Sequence, residues 1–125
     1  MTSKVTLSNY STLWPQEFEK DRLRILALLG DKAKQIEHVG STSIPGMAAK
    51  PIIDIAVAVE HFSIIDDGTL ALLSQIGFEY VPKEEFPNRM FFRRGEWGKG
   101  THHLHVYEYQ SDDWKNMILF RDYLT

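Results

Sequence analysis

The 125-residue chain contains no cysteine, which excludes disulfide bonds and zinc sites that are built on thiolates. A reducing compartment suits that composition. The sequence also lacks an apolar run near the ~18 residues that span a bilayer. Its N-terminal stretch, MTSKVTLSNYSTLW, has no apolar signal-peptide core. These absences predict a cytoplasmic protein that does not enter a membrane.

Neither sign of charge dominates, since 14 lysines and arginines stand against 17 aspartates and glutamates, for a net charge of -3. Such a balance gives no general attraction to nucleic acid or anionic lipid, so binding to either would need a local basic patch. No repeat, low-complexity tract or linker interrupts the chain. Its composition, 43% apolar and 25% charged, is that of an ordinary globular domain. We therefore expect one domain over residues 1–125.

Helix and strand signals alternate along the chain. Pro15 suits the first turn of a helix, and Gly30 suits its C-terminal cap. The predicted helices cover residues 11–30, 45–49, 66–77 and 111–124, and the predicted strands cover 35–39, 51–59, 78–81, 89–94 and 102–109. The helical side chains expected in the core are Trp14, Phe18, Ile25, Leu29, Trp114, Ile118 and Tyr123. This order predicts an α+β (α/β) domain with a mixed β-sheet flanked by helices.

An aspartate, Asp54, interrupts the apolar run PIIDIAVAV, which is otherwise typical of a central strand. A carboxylate in such a run is costly unless it is paired, protonated or bound to a metal. Asp54 could hold Mg²⁺, and the ion could bridge to phosphate oxygens bound nearby. The alternative, which spacing alone favours, is an aspartate that caps a neighbouring piece of backbone.

A glycine- and serine-rich turn precedes that strand, in the sequence HVGSTSIPG. Gly40 permits a tight path, and Ser41, Thr42 and Ser43 bring three hydroxyls and several backbone N–H groups to one point. Where such a turn opens a helix, it favours an anion, most often phosphate. A plain hydroxyl-rich turn is the alternative, because Gly-Ser turns are common.

Three histidines cluster in HHLHVY. His103 and His105 point the same way in an extended chain, with Cβ atoms roughly 7 Å apart. That separation suits two ligands of one metal ion, or one ligand and one acid–base group. His38 precedes the Gly-Ser turn and is expected to face the same site. Alternatively, His103 and His105 are sheet residues that are hydrogen-bonded to their neighbours.

Several cationic residues are candidates for binding an anion. Lys50 directly precedes the Asp54 strand, either to reach phosphate or as a solvated loop residue. Arg89 and Arg93 share a strand face, which would suit a polyphosphate or carboxylate, or else a solvated edge strand. Trp97, in the turn RGEWGKG, is either a surface hydrophobe or a stacking partner for a base.

The stretches HVGSTSIPGMAAKPIIDIAVAV, HHLHVY and FRDYL resemble the GrpB-like family, which is placed in the nucleotidyltransferase superfamily. The resemblance implies a nucleotidyltransferase-like fold in which Gly40 and Ser41 contact a triphosphate. It also implies that Asp54 is the first metal-binding carboxylate. The superfamily usually carries a second acid two positions on, where this chain has Ala56, and a third on a later strand. Family members generally continue beyond FRDYL, so the resemblance implies a chain that is short at its C-terminus.

These observations lead to three candidate functions. The first is a metal-dependent nucleotidyltransferase, in which Asp54 binds the metal and His103 or His105 completes the metal site or acts as general base. Lys50 and Arg93 would neutralise developing charge. The metal is Mg²⁺ or Mn²⁺, although histidine ligands also suit Zn²⁺. The second is a non-catalytic module that binds a nucleotide or phosphometabolite. The third is a histidine-rich, metal-dependent phosphohydrolase.

Overall fold

The computed structural model describes residues 7–96 and 99–125, so Trp97 lies outside the described residues. Its helices are α1, Leu13–Leu29; α2, Asp67–Gln75; and α3, Asp112–Leu124. Its strands are β1, Ala33–Val39; β2, Ile53–Val59; β3, Glu79–Tyr80; β4, Met90–Glu96; and β5, Lys99–Glu108. Within the described ranges, no helix combines the length and apolar character that a bilayer span requires.

The strands form one sheet in the order β1-β2-β5-β4-β3. Strands β2 and β5 are parallel, and the other neighbouring pairs are antiparallel. The predicted mixed sheet flanked by helices is therefore confirmed. The parallel pairing places Asp54 directly beside His103, and Ala56 directly beside His105.

The two faces of the sheet bury different residues, because successive side chains of a strand point to opposite sides. Ile53, Ile55 and Val57 of β2 belong to the larger core, together with residues of α1 and α2. Ala56 and Ala58 belong to a smaller core with Trp114 of α3. Asp54 therefore lies on the α3 face, near the first residue of β2.

Two details of the predicted elements are wrong. Residues 45–49 form no helix; the helical turn is a 3₁₀ helix at Ser41–Ser43, and Ala49 instead pairs with Ser8. Tyr123 is 87% exposed, although we expected it in the core. Trp114 is buried, and nine residues of α-helix turn Tyr123 about 180° away from it, onto the solvent face.

Candidate metal centre and its two cavities

Strand β2 and the turn after β1 together position Asp54. Gly40 has φ +72° and ψ -176°, a conformation that is essentially restricted to glycine. A Cβ atom at Gly40 would stand 3.0 Å from both Cβ and Cγ of Asp54. Glycine at this position therefore allows the carboxylate to lie directly over the turn.

Two imidazoles of β5 face the Asp54 carboxylate. Nδ1 of His103 lies 3.4 Å from Oδ1 of Asp54, and Nε2 of His105 lies 3.2 Å from the same oxygen. Ligand atoms of the three residues all lie within 4.8 Å of one another. Ala56 lies beside His105 and carries only a methyl group, which leaves room for the imidazole to reach Asp54. The predicted convergence of Asp54, His103 and His105 is thus present in the structure.

The arrangement keeps Asp54 ionised. Burial alone would raise the pKa of its carboxyl group, but hydrogen bonds from His103 and His105 outweigh burial and hold the pKa below the usual value. Two ligand atoms on a tetrahedral zinc ion are about 3.3 Å apart, which resembles the spacings found here. One carboxylate and two imidazoles are also a donor set that borderline divalent metals accept. The three residues therefore fit a single metal ion.

Packing orients the His105 ring. Its Nδ1 atom is buried and has no hydrogen-bond partner among the described residues. The ring of Phe91 lies 5.3 Å away, centroid to centroid, and that of His103 lies 6.3 Å away. Aromatic neighbours, rather than a hydrogen bond to the far nitrogen, thus hold the imidazole toward Asp54.

Asp54 stands between two cavities, and Ser41 lines both of them. The Lys50 cavity, of about 380 Å³, is lined by Leu7, Ser41, Ala48, Ala49, Lys50, Ile52, Asp54 and His103. The Arg121 cavity, of about 310 Å³, is lined by Val39, Gly40, Ser41, Ile44, Asp54, Arg89, His105, Tyr107, Met117, Phe120, Arg121 and Leu124. A single carboxylate therefore faces two separate volumes, each large enough for part of a small molecule.

The hydroxyls of the Gly-Ser turn do not all face these cavities. Ser41 is exposed and lines both, as a phosphate-binding residue must. Thr42 is 1% exposed, and its hydroxyl donates to the Ile52 carbonyl at 3.2 Å. The Ser43 hydroxyl donates to the Gly40 carbonyl at 2.6 Å. Thr42 and Ser43 thus hold the turn in shape through contacts within the protein.

The expectation that His38 faces the site is wrong. Its ring stacks on Phe18 of α1 at 5.0 Å, and Nε2 lies 3.0 Å from the Thr42 hydroxyl oxygen. Side chains alternate along a strand, so Glu37 and Val39 point to the α3 face and His38, between them, points to the α1 face. Burial lowers the pKa of His38 to about 4, although the negative charge of Asp54 acts to raise it.

The predicted cationic residues are distributed around the site. Lys50 lines one cavity, and Arg89 lines the other. Arg93 pairs with His103 in the sheet, but it is not among the described residues that line either cavity. Arg121 bonds to Glu37 and Asp122. It also forms part of a cavity wall, which the sequence did not indicate.

Sequence reasoning missed a second acidic cluster, centred on Asp21 of α1. Asp21 is 2% exposed and accepts a hydrogen bond from Arg94, with His102 also in contact. A signal was available, because Asp21 lies between Phe18 and Ile25 on the buried helical face. A charged residue in that stripe indicates a buried partner.

Comparison with known proteins yields close relatives. Residues 4–125 match the family described as GrpB protein. The chain is 36% identical over 125 residues to the glutamate-rich protein GrpB of Alkalihalophilus pseudofirmus, covering 98% of this chain and 72% of that protein. A crystal structure of the conserved protein GrpB from Enterococcus faecalis superposes with a TM-score of 0.87 at 33% identity, over 95% of this chain and 72% of that one.

A more distant structure shares the fold. A cytoplasmic RNA terminal U-transferase superposes with a TM-score of 0.55 at 14% identity, over 92% of this chain and 36% of that one. At this identity the similarity shows a nucleotidyltransferase-like fold and nothing about the reaction. Other curated relatives are longer than this chain, which covers 61% of one and 35% of another.

Proposed function

The chain belongs to the GrpB family, and on that premise we propose that it is a metal-dependent nucleotidyltransferase acting on a small-molecule acceptor. One observation carries the proposal. Asp54, His103 and His105 converge beside Ser41, at the boundary between two cavities, in a nucleotidyltransferase-like fold. Phosphoryl transfer requires that the phosphoryl donor and the acceptor are held next to each other, with a metal ion between them to neutralise the phosphate charge.

The donor set favours Zn²⁺ or Mn²⁺ over Mg²⁺, because Mg²⁺ prefers oxygen ligands and two of these three ligands are imidazoles. Asp54, His103 and His105 would hold the ion. A bound divalent ion neutralises charge on phosphate oxygens and polarises the phosphorus centre. Ala56, at the position of the usual second acid, supports a site for one ion rather than two.

The two cavities suit different substrates. Ser41 and Lys50 supply a hydroxyl and an ammonium group to the phosphates of a nucleoside triphosphate in the Lys50 cavity. His105 also lines the Arg121 cavity. With only Asp54 and His103 on the ion, the imidazole of His105 would instead accept the proton of an acceptor hydroxyl. The acceptor oxygen then bonds to the α-phosphorus, the bond from that phosphorus to the bridging oxygen breaks, and pyrophosphate leaves.

A non-catalytic nucleotide-binding module is the second candidate, and Ala56 favours it. The residue is 0% exposed and packs in the same small core as Trp114. The second carboxylate of the superfamily is thus replaced by a core residue. Such a module would bind nucleotide and release no pyrophosphate, whereas a phosphohydrolase would release phosphate without labelling an acceptor.

The decisive experiment follows thermal unfolding of EDTA-treated protein during titration with Zn²⁺, Mn²⁺ or Mg²⁺, with and without ATP. We expect Zn²⁺ or Mn²⁺ to raise Tm and ATP to raise it further, since a ligand at 100 times its Kd stabilises by about 2.7 kcal/mol. Asp54→Asn should lose both increments, while Asp31→Asn, an exposed aspartate in the turn after α1, should keep them. Equal responses from Asp54→Asn and the parent would refute the proposed site, and pyrophosphate release separates enzyme from binding module.

A further inference from the structure

A groove begins at the metal-binding residues and runs along the inner side of α3. The Arg121 cavity and a neighbouring cavity of about 480 Å³ share four lining residues, namely Arg89, Tyr107, Met117 and Phe120. The neighbouring cavity continues to the loop at Glu85–Asn88. We call this combined volume the α3 groove. It joins Asp54 and His105 at one end to that loop at the other.

A guanidinium group without a carboxylate partner lies in the middle of the α3 groove. Arg89 Nη1 donates to the Tyr107 hydroxyl at 3.0 Å, and its guanidinium carbon lies 3.8 Å from the centroid of the Phe86 ring. Among the described residues, no carboxylate comes within 4.0 Å of Arg89, and its Nε atom is buried without a hydrogen-bond partner. Because an arginine stays protonated in proteins, Arg89 carries a positive charge that no described carboxylate contacts directly.

The other arginine of the groove differs. Arg121 donates to Glu37 at 2.7 Å and to Asp122 at 2.9 Å, so carboxylates already neutralise it. Glu85 and Asp113 line the far part of the groove and would repel an anion placed there. Arg89 is therefore the place in the α3 groove that favours a negative group.

Apolar side chains supply the rest of the surface. Met117 and Phe120 of α3 form one wall, and Val39 and Ile44 lie near the Asp54 end. Stacked arginine and a thioether beside aromatic rings make favourable contacts with a flat apolar body. We propose that the α3 groove binds an anionic small molecule with an aromatic or similarly flat apolar body, its carboxylate or phosphate on Arg89 and the Tyr107 hydroxyl.

The role of this ligand rests on the proposed function: it is the class of acceptor that would meet the nucleotide at Asp54. Its binding does not depend on metal or nucleotide. Binding is therefore measured by two-dimensional NMR titration of metal-free protein in EDTA. The probes are benzoate, phenyl phosphate and the neutral benzamide, which has nearly the shape of benzoate.

We expect benzoate or phenyl phosphate to bind at least tenfold more tightly than benzamide, and to shift signals of groove residues. The tighter of the two anions identifies the headgroup as carboxylate or phosphate. Arg89→Gln should lose this preference. Lys83→Gln is the matched control, because Lys83 also lies near the Phe86 ring, at 5.5 Å, but lines neither part of the groove. Equal binding of benzamide and the anions would overturn the inference, as would an unchanged preference in Arg89→Gln.

Arg89→Lys covers the case in which Arg89→Gln fails to fold. A lysine keeps the charge but not the planar fork, so anions should still bind more tightly than benzamide, at a loss in affinity. If Arg89→Lys showed no preference for anions, the inference would fail. Asp54→Asn removes a negative charge from one end of the groove, so it should keep the preference for the anions over benzamide. Metal binding retained in Asp54→Asn, together with an intact preference for the anions, would refute the proposed function and leave the groove ligand standing.

Discussion

Two aspartates, Asp21 and Asp54, lie on opposite faces of the same sheet, and each contacts a histidine of β5. Asp21 is 2% exposed and contacts His102, whereas Asp54 is 25% exposed and contacts His103. The two histidines are adjacent in sequence, and strand alternation sends them to opposite sides. The same pair of residue types thus occurs once on the α1 face and once on the α3 face.

The Asp21 cluster is closed. Arg94 donates to Asp21 at 2.8 Å and to the Ile76 carbonyl at 2.7 Å, and it lies 4.2 Å from the centroid of the Phe78 ring. Burial alone would raise the pKa of Asp21, but its close contacts with His102 and Arg94 outweigh burial and lower that pKa. These contacts join α1, the end of α2 and two strands, so the cluster holds elements of the fold together.

The Asp54 cluster is open by comparison. In the described part of the chain, imidazoles are the only basic side chains within 4.0 Å of its carboxylate, which lines two cavities. The permanently charged guanidinium of Arg94 neutralises Asp21, whereas the imidazoles beside Asp54 can bind a metal ion together with its carboxylate. The comparison indicates that the nature of the partner, more than the aspartate itself, separates a structural cluster from a candidate site.

The largest effect should come from removing the buried charge. Asp21→Asn leaves Arg94 without its carboxylate in a buried setting, so we expect a loss of about 3 kcal/mol in the free energy of unfolding. Asp54→Asn should cost under about 1 kcal/mol without metal, because its partners are imidazoles and water reaches it. Urea denaturation at neutral pH in EDTA measures both. A larger loss for Asp54→Asn would reverse the assignment of the two clusters.

A medium effect should come from the glycine beneath Asp54. Gly40 and Gly46 have φ of +72° and +80°, so alanine is strained at either, by about 1 kcal/mol or more. Only at Gly40 would the new Cβ also meet the Asp54 side chain; nothing lies within 4 Å at Gly46. We expect Gly40→Ala to lose about 2–3 kcal/mol of stability and the Tm increment from Zn²⁺, while Gly46→Ala keeps that increment. Equal behaviour of the two variants would show that the turn does not position Asp54.

Local patterns predicted much of this arrangement. The alternation in HHLHVY and the apolar run around Asp54 indicated neighbouring strands, and Asp54, His103 and His105 do converge. The face of His38 was not predictable in the same way. In the register of the assembled sheet His38 pairs with Ile55, whose side chain belongs to the larger core, and a shift of one residue would have moved every side chain to the other face.

The Asp21 cluster shows a different reason for failure. Its cation, Arg94, is 73 residues away in sequence. Helical periodicity placed Asp21 on the buried face but held no information about a partner on a distant strand. Nonlocal charge pairs of this kind depend on the assembled sheet, whereas the Asp54 site, although also nonlocal, was indicated by two separate motifs and a family resemblance.

The smallest effect concerns His38, which lies behind the site. Its pKa is about 4 in the folded chain against about 6.5 when unfolded, so only the unfolded chain binds a proton between those values. Stability should therefore fall by about 1–2 kcal/mol as pH drops from 6.5 to 4, allowing for partial screening by water. The lowered pKa values of Asp21 and Asp54 lead to losses that begin near pH 5 and fall mainly below about pH 3.9, so the upper part of this window reports on His38. Urea denaturation across the window should show a shallower fall for His38→Gln than for His61→Gln, whose parent side chain is 71% exposed. Parallel curves would mean that His38 is protonated in the folded chain, and that its packing on Phe18 does not exclude the charge.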